Sequence, residues 1–321
     1  MIMIWTSIFH NLSAWKRKLH AKLLPHSWMA QIPIAVNPKT QNFGDAINAY
    51  FWTRLTEQKI KRLDFGSSLP HYLTTGSVMR KLNANSIVIG SGFISADDNL
   101  GGDRWDMPFE SATYDVPLEV IALRGKLSHQ KLERMLGRTF PIVEYFDPLF
   151  LFPLIVNHEL LSIPSRSNQL CFIPHYIDKN STILADLIAQ FESKGCHIEL
   201  GDIQTGEDFD SLVTKIMQSE KVVSSSLHGY ILGLSFGKPS AWVQLSNNVV
   251  GDGFKFYDFI SGLGEEKLDR VALHGTQFDI LKAHDALSYG DRIIATPPFI
   301  STHRKEKLLE EWRRIRAILD R

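Results

Sequence analysis

Three serines, a histidine and a glycine stand directly ahead of an apolar helical run in SSSLHGYILGLSFGKPS, residues 224–240. The preceding KVV, residues 221–223, is typical of a strand end, and the GKP at 237–239 provides a helix stop. The stretch therefore predicts a strand, a tight polar turn and a helix start. Unpaired N–H groups and the positive end of the helix dipole meet at such a start and favour a bound anion. We predict an anion-binding site here.

The predicted anion site comprises the residues of this turn that offer hydroxyl, backbone N–H or imidazole donors. They are Ser224, Ser225, Ser226, Leu227, His228 and Gly229. His228 is the candidate for a chemical role, because the helix dipole disfavours its charged form whereas a bound anion favours it. Alternatively, His228 only caps the turn, and the hydroxyls of Ser224 and Ser225 only cap the helix.

Three further polar residues are candidates for the same site, and two of them, Arg124 and His175, follow other predicted strands. Arg124 precedes a glycine at a strand end, where its planar guanidinium suits bidentate binding of an anion; a surface salt bridge is the alternative. His175, after Pro174, is either a base or second donor in the same cleft, or a buried structural histidine. Lys255, ahead of an aromatic FYDF run, is either a cation for the anion or a solvated lysine.

The segment NFGD, residues 42–45, predicts another ligand-binding turn. Gly44 permits close backbone approach, while Asn42 or Asp45 is suited to bind a hydroxyl group of a second ligand. Asp45 is equally suited to act as the N-cap of a helix predicted from Ala46 to Leu55.

Strands that alternate with helices must position these turns. The predicted strands lie in IPIAV, SIVIGSGF, PLEVIALRG, VEYFDPLFLF, QLCFIPHY, HIELGD, KVVSSS and SAWVQL. The predicted helices between them include KLSHQKLERMLG, STILADLIAQFESKG, DFDSLVTKIMQSE and LHGYILGLSFG. This alternation predicts an α/β fold with parallel sheets, in which ligands bind beyond the carboxyl ends of the strands.

A proline-containing segment of low charge, Pro153–Asn168, is the best candidate for a linker between two Rossmann-like domains. The predicted organisation has four parts. They are a basic amphipathic extension (1–31), a first Rossmann-like domain (32–155), a second (156–299) and a C-terminal helix (300–321).

Composition excludes several classes of protein. The 35 basic and 35 acidic residues balance, so the chain lacks the electrostatic footprint of a nucleic-acid-binding protein. Cys171 and Cys196 cannot build a disulfide framework and fit a reducing cytosol. Histidines and acidic residues lack HxH or HExxH spacing, so we expect no metal site. A lone GSG is not a dinucleotide fingerprint, so we expect no nicotinamide cofactor.

Residues 1–31 are basic and amphipathic, without an acidic residue. One helical face would carry Trp5, Ile8, Phe9, Leu12, Trp15, Leu19 and Leu23. This pattern is typical of a helix on an anionic inner-membrane surface, and also of an extension that packs on its own domain or on a second subunit. We expect neither a secretory signal nor a segment that spans a bilayer.

Seven segments together resemble the polysaccharide pyruvyl transferase family. They are NFGDAINAYF (42–51), VIGSGF (88–93), ALRGKLS (122–128), FDPLFL (146–151), FIPHYIDK (172–179), SSSLHGYILGLSFGKP (224–239) and KFYDFISGLG (255–264). Each is weak alone, but together, in the family's order, they cover the chain from about residue 32 to about residue 265.

The resemblance implies a GT-B-like arrangement of the two domains and transfer of pyruvate from phosphoenolpyruvate to two hydroxyls of a sugar in an exopolysaccharide repeat unit. The product would be a cyclic ketal, with phosphate released and no cofactor needed. It further implies that His228 is the general acid or a phosphate ligand, Arg124 the anion clamp and His175 an auxiliary base. The acceptor would be a lipid-linked oligosaccharide or a glycan, and the enzyme would be cytoplasmic. The basic N-terminal pattern is compatible with a peripheral position at the inner face of the membrane.

One departure from the resemblance concerns Ser226, where many members of the family have arginine. Either Lys255 or Arg124 supplies the cation instead, or the donor binds in a slightly different position. Two other functions stay open at this point. A GT-B glycosyltransferase using a nucleotide sugar is disfavoured because residues 221–251 contain no carboxylate to hold a ribose. A non-catalytic scaffold with the same fold is the second.

Overall fold

The fold consists of two parallel β-sheets, each accompanied by helices. The computed structural model describes residues 31–36, 43–56, 59–96, 119–140, 144–203, 208–263 and 271–272. The predicted extension at 1–31 (apart from residue 31), the C-terminal helix at 300–321 and Asn42 lie outside these ranges. No helix of the described residues is long and apolar enough to cross a membrane.

The first sheet has six parallel strands in the order β2-β1-β3-β4-β5-β6. The strands are β1 (Gln31–Ala35), β2 (Lys59–Leu63), β3 (His71–Leu73), β4 (Ser86–Ser91), β5 (Glu119–Leu123) and β6 (Glu144–Tyr145). The predicted strands β1, β4, β5 and β6 are confirmed. The sequence analysis missed β2 and β3, because the short β3 has no run of apolar residues and β2 (KIKRL) is a highly charged edge strand.

The second sheet has five parallel strands in the order β11-β10-β9-β7-β8. The strands are β7 (Gln169–Ile173), β8 (His197–Leu200), β9 (Lys221–Ser224), β10 (Ser240–Gln244) and β11 (Val271–Ala272). If its strands are renumbered 1 to 5 along the chain, the second sheet has the order 2-1-3-4-5. The first five strands of the first sheet have the same order. The predicted α/β class with parallel sheets is therefore confirmed.

Seven α-helices are described in the parts of the chain given above. They are α1 (Phe43–Thr56), α2 (Lys126–Leu136), α3 (His158–Leu161), α4 (Thr182–Ser193), α5 (Phe209–Gln218), α6 (Leu227–Ser235) and α7 (Phe254–Gly262). As predicted, Gly137 ends α2, in the left-handed conformation at φ 59°. The proposed N-cap role of Asp45 is wrong, because α1 already begins at Phe43.

A short buried 3₁₀ helix, Pro148–Leu154, joins the two sheets and packs on both of them. The ring of Phe152 lies 5.8 Å from Tyr50 of α1 and 6.3 Å from Phe236, which follows α6. Phe150 lies 6.1 Å from Phe259 of α7. The predicted linker thus begins inside a buried element: residues 153–156 are mostly buried between the two sheets, whereas residues 157–168 are exposed or half-buried.

A buried ion pair connects the two halves of the chain at a second place. Arg124, which follows β5, donates from Nε to Asp258 Oδ2 of α7 at 2.9 Å, and both side chains are fully buried. Asp258 also accepts from Ser128 in the first turn of α2, at 2.7 Å from the backbone N–H and 2.6 Å from the hydroxyl. The carboxylate therefore neutralises a buried cation and caps a helix of the other half.

Two glycines allow this contact because the backbones of α2 and α7 nearly touch. A Cβ atom on Gly125 would lie 1.6 Å from the carbonyl oxygen of Asp258. A Cβ atom on Gly262 would lie 2.5 Å from the carbonyl oxygen of Arg124. Neither position has room for a side chain, so the glycine after Arg124 is required by packing between the halves.

We predict that Asp258→Asn lowers the free energy of unfolding by about 3–5 kcal/mol, because it leaves the Arg124 guanidinium buried without a counter-charge. Urea denaturation monitored by circular dichroism measures the change. Asp186, an exposed carboxylate on α4, provides the matched control, and Asp186→Asn should stay within about 0.5 kcal/mol of the parent. Equal stability of the two variants would contradict the structural importance of the pair.

Candidate active site

The candidate site lies at the carboxyl ends of β7 and β9 in the second sheet. These strands pair directly, with Ile173 opposite Ser224, so the turns that follow them start side by side. The chain runs from β7 to β8 on one side and then to β9 on the other, which makes this the point where the strand order reverses. Ligands of open parallel sheets bind in the crevice that such a reversal opens.

The first two serines of the turn after β9 are used to hold the turn itself. Ser224 Oγ lies 2.7 Å from the Ile173 carbonyl oxygen, to which it donates, and accepts from the Ser226 N–H at 3.0 Å. Ser225 Oγ accepts from the backbone N–H of His175 at 2.8 Å. These bonds tie the turns after β7 and β9 together, so both hydroxyls have a structural role whether or not they also contact a ligand.

Ser226 stands at the N-cap position of α6, but its side chain does not cap the helix. The backbone N–H groups in the first turn of α6 therefore receive no hydrogen-bond acceptor from the Ser226 hydroxyl. Leu227 is buried in the core, so its contribution to a ligand would be its backbone N–H. Gly229 lets α6 lie directly on the sheet, since a Cβ atom there would stand 2.5 Å from Ser224 Oγ and 2.6 Å from Ile173 Cγ2.

His228 lies in a strongly cationic environment at the first turn of α6. Burial, together with the positive charges of Lys255 and Arg124, lowers the pKa of His228 to about 3. The imidazole is therefore neutral at physiological pH in the ligand-free protein. The three residues come from both halves of the chain, and the structure brings them close enough for their charges to interact.

Lys255, in the first turn of α7, is a buried cation directed at the same place. Burial and the charge of Arg124 lower the pKa of Lys255 to about 8, although Asp178 opposes this shift. Within the described residues, no hydrogen bond or ion pair satisfies its ammonium group, which lies 5.8 Å from the Phe256 ring centroid. A buried ammonium without hydrogen-bond acceptors favours the binding of an anion.

His175 presents a hydrogen-bond donor to the site. Its Nδ1 atom accepts from the Ile177 N–H at 3.3 Å, which places the proton of the neutral ring on Nε2. Burial and the neighbouring charges of Lys255 and His228 lower the pKa of His175 to about 2. The neutral ring therefore donates through Nε2 in the ligand-free protein, and its predicted role as auxiliary base stays a prediction.

Two buried carboxylates border the cationic cluster. Asp178 is 1% exposed, and its Oδ1 accepts from the Ser246 hydroxyl at 2.6 Å, while its Oδ2 has no hydrogen-bond partner in the described part of the chain. Asp147 caps the 3₁₀ helix by accepting from the Leu149 N–H at 3.0 Å. Burial raises the pKa of Asp147 to about 6, against the opposing effects of the Leu149 N–H and of Arg124.

The guanidinium of Arg124 has protein partners on each of its nitrogen atoms. Nε bonds to Asp258 at 2.9 Å, Nη1 to Ser77 Oγ at 2.7 Å and Nη2 to the Phe93 carbonyl oxygen. Gly92 leaves space for it, since a Cβ atom there would stand 2.5 Å from the guanidinium carbon. Arg124 thus holds the two halves together, and its charge acts on His228 and Lys255; bidentate contact with a ligand stays a prediction.

The first sheet has a similar reversal between β1 and β3, where the predicted NFGD turn lies. Gly44 and Asp45 are in the first turn of α1, whereas Asn42 is outside the described residues. One turn further along α1, Asn48 donates to the Thr75 carbonyl oxygen at 3.0 Å and accepts from the Thr74 hydroxyl. The buried Asn48 fixes α1 to the turn after β3.

Sequence analysis missed Asp258 and Asp178. A signal for Asp258 was present, since an aspartate within KFYDFI lies on the same buried helix face as Lys255 and requires a counter-charge. Among the described residues, no group of three or more His, Cys, Asp or Glu side chains could hold a metal ion. The cluster instead combines neutral imidazoles, one buried ammonium and a helix start, which suits a small anion that carries several negative charges.

Comparisons with known proteins agree with the seven sequence segments. The sequence model of the family described as polysaccharide pyruvyl transferase matches residues 42–247. The chain is 27% identical over 235 residues to uncharacterized protein L143 of Acanthamoeba polyphaga mimivirus, covering 71% of this chain and 73% of that protein. It is also 27% identical over 233 residues to succinoglycan biosynthesis protein ExoV of Rhizobium meliloti (strain 1021), covering 70% of this chain and 62% of ExoV. With the family match extending over more than half of its length, this chain belongs to the polysaccharide pyruvyl transferase family.

Proposed function

We propose that the protein transfers pyruvate from phosphoenolpyruvate to two hydroxyls of a sugar in an exopolysaccharide repeat unit, which forms a cyclic ketal and releases phosphate. Family membership and the similarity to a succinoglycan biosynthesis protein support the reaction class. The single structural observation that carries the proposal is the convergence of His175, His228 and Lys255 at the carboxyl ends of β7 and β9.

Phosphoenolpyruvate carries a carboxylate and a phosphate, and the cluster offers groups for both. Lys255 supplies a buried positive charge that lacks a hydrogen-bonded counter-ion within the described residues. His175 supplies a neutral Nε2–H donor, and the first turn of α6 supplies backbone N–H groups. Binding several negative charges here raises the pKa of His228. The imidazole therefore takes up a proton when the substrate binds, and this proton is the one that the chemistry needs.

The reaction requires one proton at C3 of phosphoenolpyruvate, and His228 is placed to deliver it as a general acid. Protonation at C3 makes C2 electrophilic; one sugar hydroxyl adds there and the C2–O bond to phosphate breaks. The second hydroxyl then adds at C2 and closes the ring. The two hydroxyls lose two protons, of which one replaces the proton delivered to C3 and the other leaves with the phosphate. His175 is the proposed auxiliary base and Arg124 the proposed electrostatic clamp.

The proposed arrangement is that of two Rossmann-like domains in a GT-B-like pair, with 32–155 on the acceptor side and 156–299 on the donor side. The shared strand order of the two sheets supports it. We further propose that the enzyme acts in the cytoplasm on a lipid-linked acceptor, with residues 1–31 at the inner face of the membrane. Asn42, Gly44 and Asp45 would then contact the acceptor.

We predict that His228→Ala lowers kcat by about 10²–10⁴-fold, the usual contribution of a general acid. The assay follows inorganic phosphate released from phosphoenolpyruvate in the presence of glycan acceptor, and mass spectrometry identifies the ketal as one pyruvate added with loss of water. His197 is the matched control. Its side chain is 67% exposed and lies at the amino end of β8, whereas the candidate site lies at the carboxyl ends of the strands. Equal rates for His228→Ala and His197→Ala would remove His228 from the mechanism.

We predict that phosphoenolpyruvate binds more weakly as the pH rises through about 8, where Lys255 loses its proton in the free enzyme. The bound anion stabilises charged Lys255, so the dissociation constant should rise by about tenfold per pH unit above this pKa. The substrate is already fully ionised at this pH and does not contribute to the effect. Isothermal titration calorimetry on either side of the transition provides the measurement.

The variant Lys255→Arg keeps the positive charge at this position but removes its loss of a proton near pH 8, so it tests whether that loss causes the pH dependence of donor binding. Because a guanidinium stays protonated, this variant should lose the fall in affinity that deprotonation of Lys255 causes and keep only the pH dependence that proton uptake by His228 contributes. Lys255→Gln should bind weakly at every pH. A parent enzyme whose affinity stays constant between neutral pH and pH 9 would show that Lys255 does not contact the donor.

A further inference from the structure

Tyr176 is a large aromatic side chain that is left at the surface next to the candidate site. It is 41% exposed, and among the described residues only Leu69 and Leu200 are other large hydrophobic side chains with comparable exposure. Its ring centroid lies 4.5 Å from that of His175, with an angle of 31° between the ring planes. One face of the tyrosine ring therefore packs against a residue of the donor cluster, while 41% of the residue stays accessible to solvent.

The turn that carries Tyr176 is held in place from both sides. The Asp178 N–H donates to the His175 carbonyl oxygen at 2.8 Å, and the Ile177 N–H donates to His175 Nδ1 at 3.3 Å. Ser225 fixes the start of the turn through the His175 N–H at 2.8 Å. The exposed ring thus stands on a well-defined turn, with little conformational freedom to lose on contact with a ligand.

Contacts lead from this ring to the reacting groups. Tyr176 packs on His175, and the charges of His228 and Lys255 act on His175. A molecule that lies on the exposed part of Tyr176 is therefore next to the place where C2 of phosphoenolpyruvate would become electrophilic. The second substrate must approach this place from solvent, because its hydroxyls have to reach C2.

We propose that Tyr176 is the stacking platform for the pyranose ring of the acceptor sugar. This inference rests on the proposed function and adds the position of the acceptor. The axial C–H groups on one face of a pyranose are weakly positive and apolar, and they complement the negative face of an aromatic ring. The tyrosine hydroxyl remains available for a hydrogen bond to a sugar oxygen at the rim.

The platform would hold one sugar face and leave the hydroxyls at the ring edge directed at the donor. It contributes affinity and orientation for the acceptor, whereas the donor cluster contains His175, His228 and Lys255 and does not include Tyr176 itself. A change of Tyr176 should therefore act on acceptor binding and leave the binding of phosphoenolpyruvate largely unchanged. This separation distinguishes the platform from a residue that only supports His175.

The first measurement tests sugar binding without any reaction. Saturation-transfer NMR on the full chain uses methyl glycosides of glucose, galactose and mannose as probes. At least one should give a signal with the parent protein, and Tyr176→Ala should abolish it whereas Tyr176→Phe keeps it. Leu69→Ala is the matched control, since Leu69 is 39% exposed and precedes the amino end of β3 in the other sheet.

The second measurement uses turnover with glycan acceptor and phosphoenolpyruvate. Tyr176→Ala should raise KM for the acceptor by about tenfold, while the dissociation constant for phosphoenolpyruvate changes by less than about twofold. An unchanged acceptor KM, or an equal loss of donor affinity, would overturn the platform and leave the proposed reaction intact. A sugar signal that depends on Tyr176 in a protein that forms no ketal would support the platform and refute the proposed function. No signal from any probe, with an acceptor KM that is insensitive to Tyr176, also overturns the platform.

Discussion

Several buried groups that can carry a positive charge lie close together, and both the fold and the site depend on this cluster. Charges of like sign that are removed from water must each find a counter-charge, lose a proton or await a ligand. Arg124 has Asp258 as its counter-charge, whereas His175 and His228 remain unprotonated and neutral. Among the described residues, Asp178 is the carboxylate whose charge acts on Lys255, and no hydrogen bond joins the two, which leaves Lys255 suited to bind a ligand.

One helix connects the stability of the molecule to its chemistry. Helix α7 carries Lys255 and, three residues later, Asp258 on the same buried face. Asp258 binds Arg124 and the first turn of α2, and so fixes the position of the helix that delivers Lys255 to the site. The cation of the second half is thereby positioned by groups from the first half, and the site depends on the two halves keeping their relative placement.

The sequence predicted the elements and turns well because these follow from local patterns. Alternating strands and helices predicted the parallel sheets, and polar residues after strands predicted His175 and His228. Lys255 was a candidate because it precedes an aromatic run, and the structure brings the three residues together. The role of Arg124 between the halves was not predictable in the same way, since its partner Asp258 lies 134 residues away. The segment around Arg124 packs directly on the helix that carries Lys255 and Asp258. A contact between segments so far apart in the sequence cannot be read from a local pattern.

The position of Ser226 bears on which cation could hold the proposed donor. Ser226 is 2% exposed and comes from the turn before α6, so under the proposed function a cation for the donor would come from another element. Arg124 has each of its nitrogens bonded to the protein, which restricts its capacity to hold a donor. Lys255 approaches the same site from α7 with an ammonium that no hydrogen bond within the described residues satisfies. Of Arg124 and Lys255, Lys255 is therefore the one whose N–H donors a phosphate or carboxylate would satisfy.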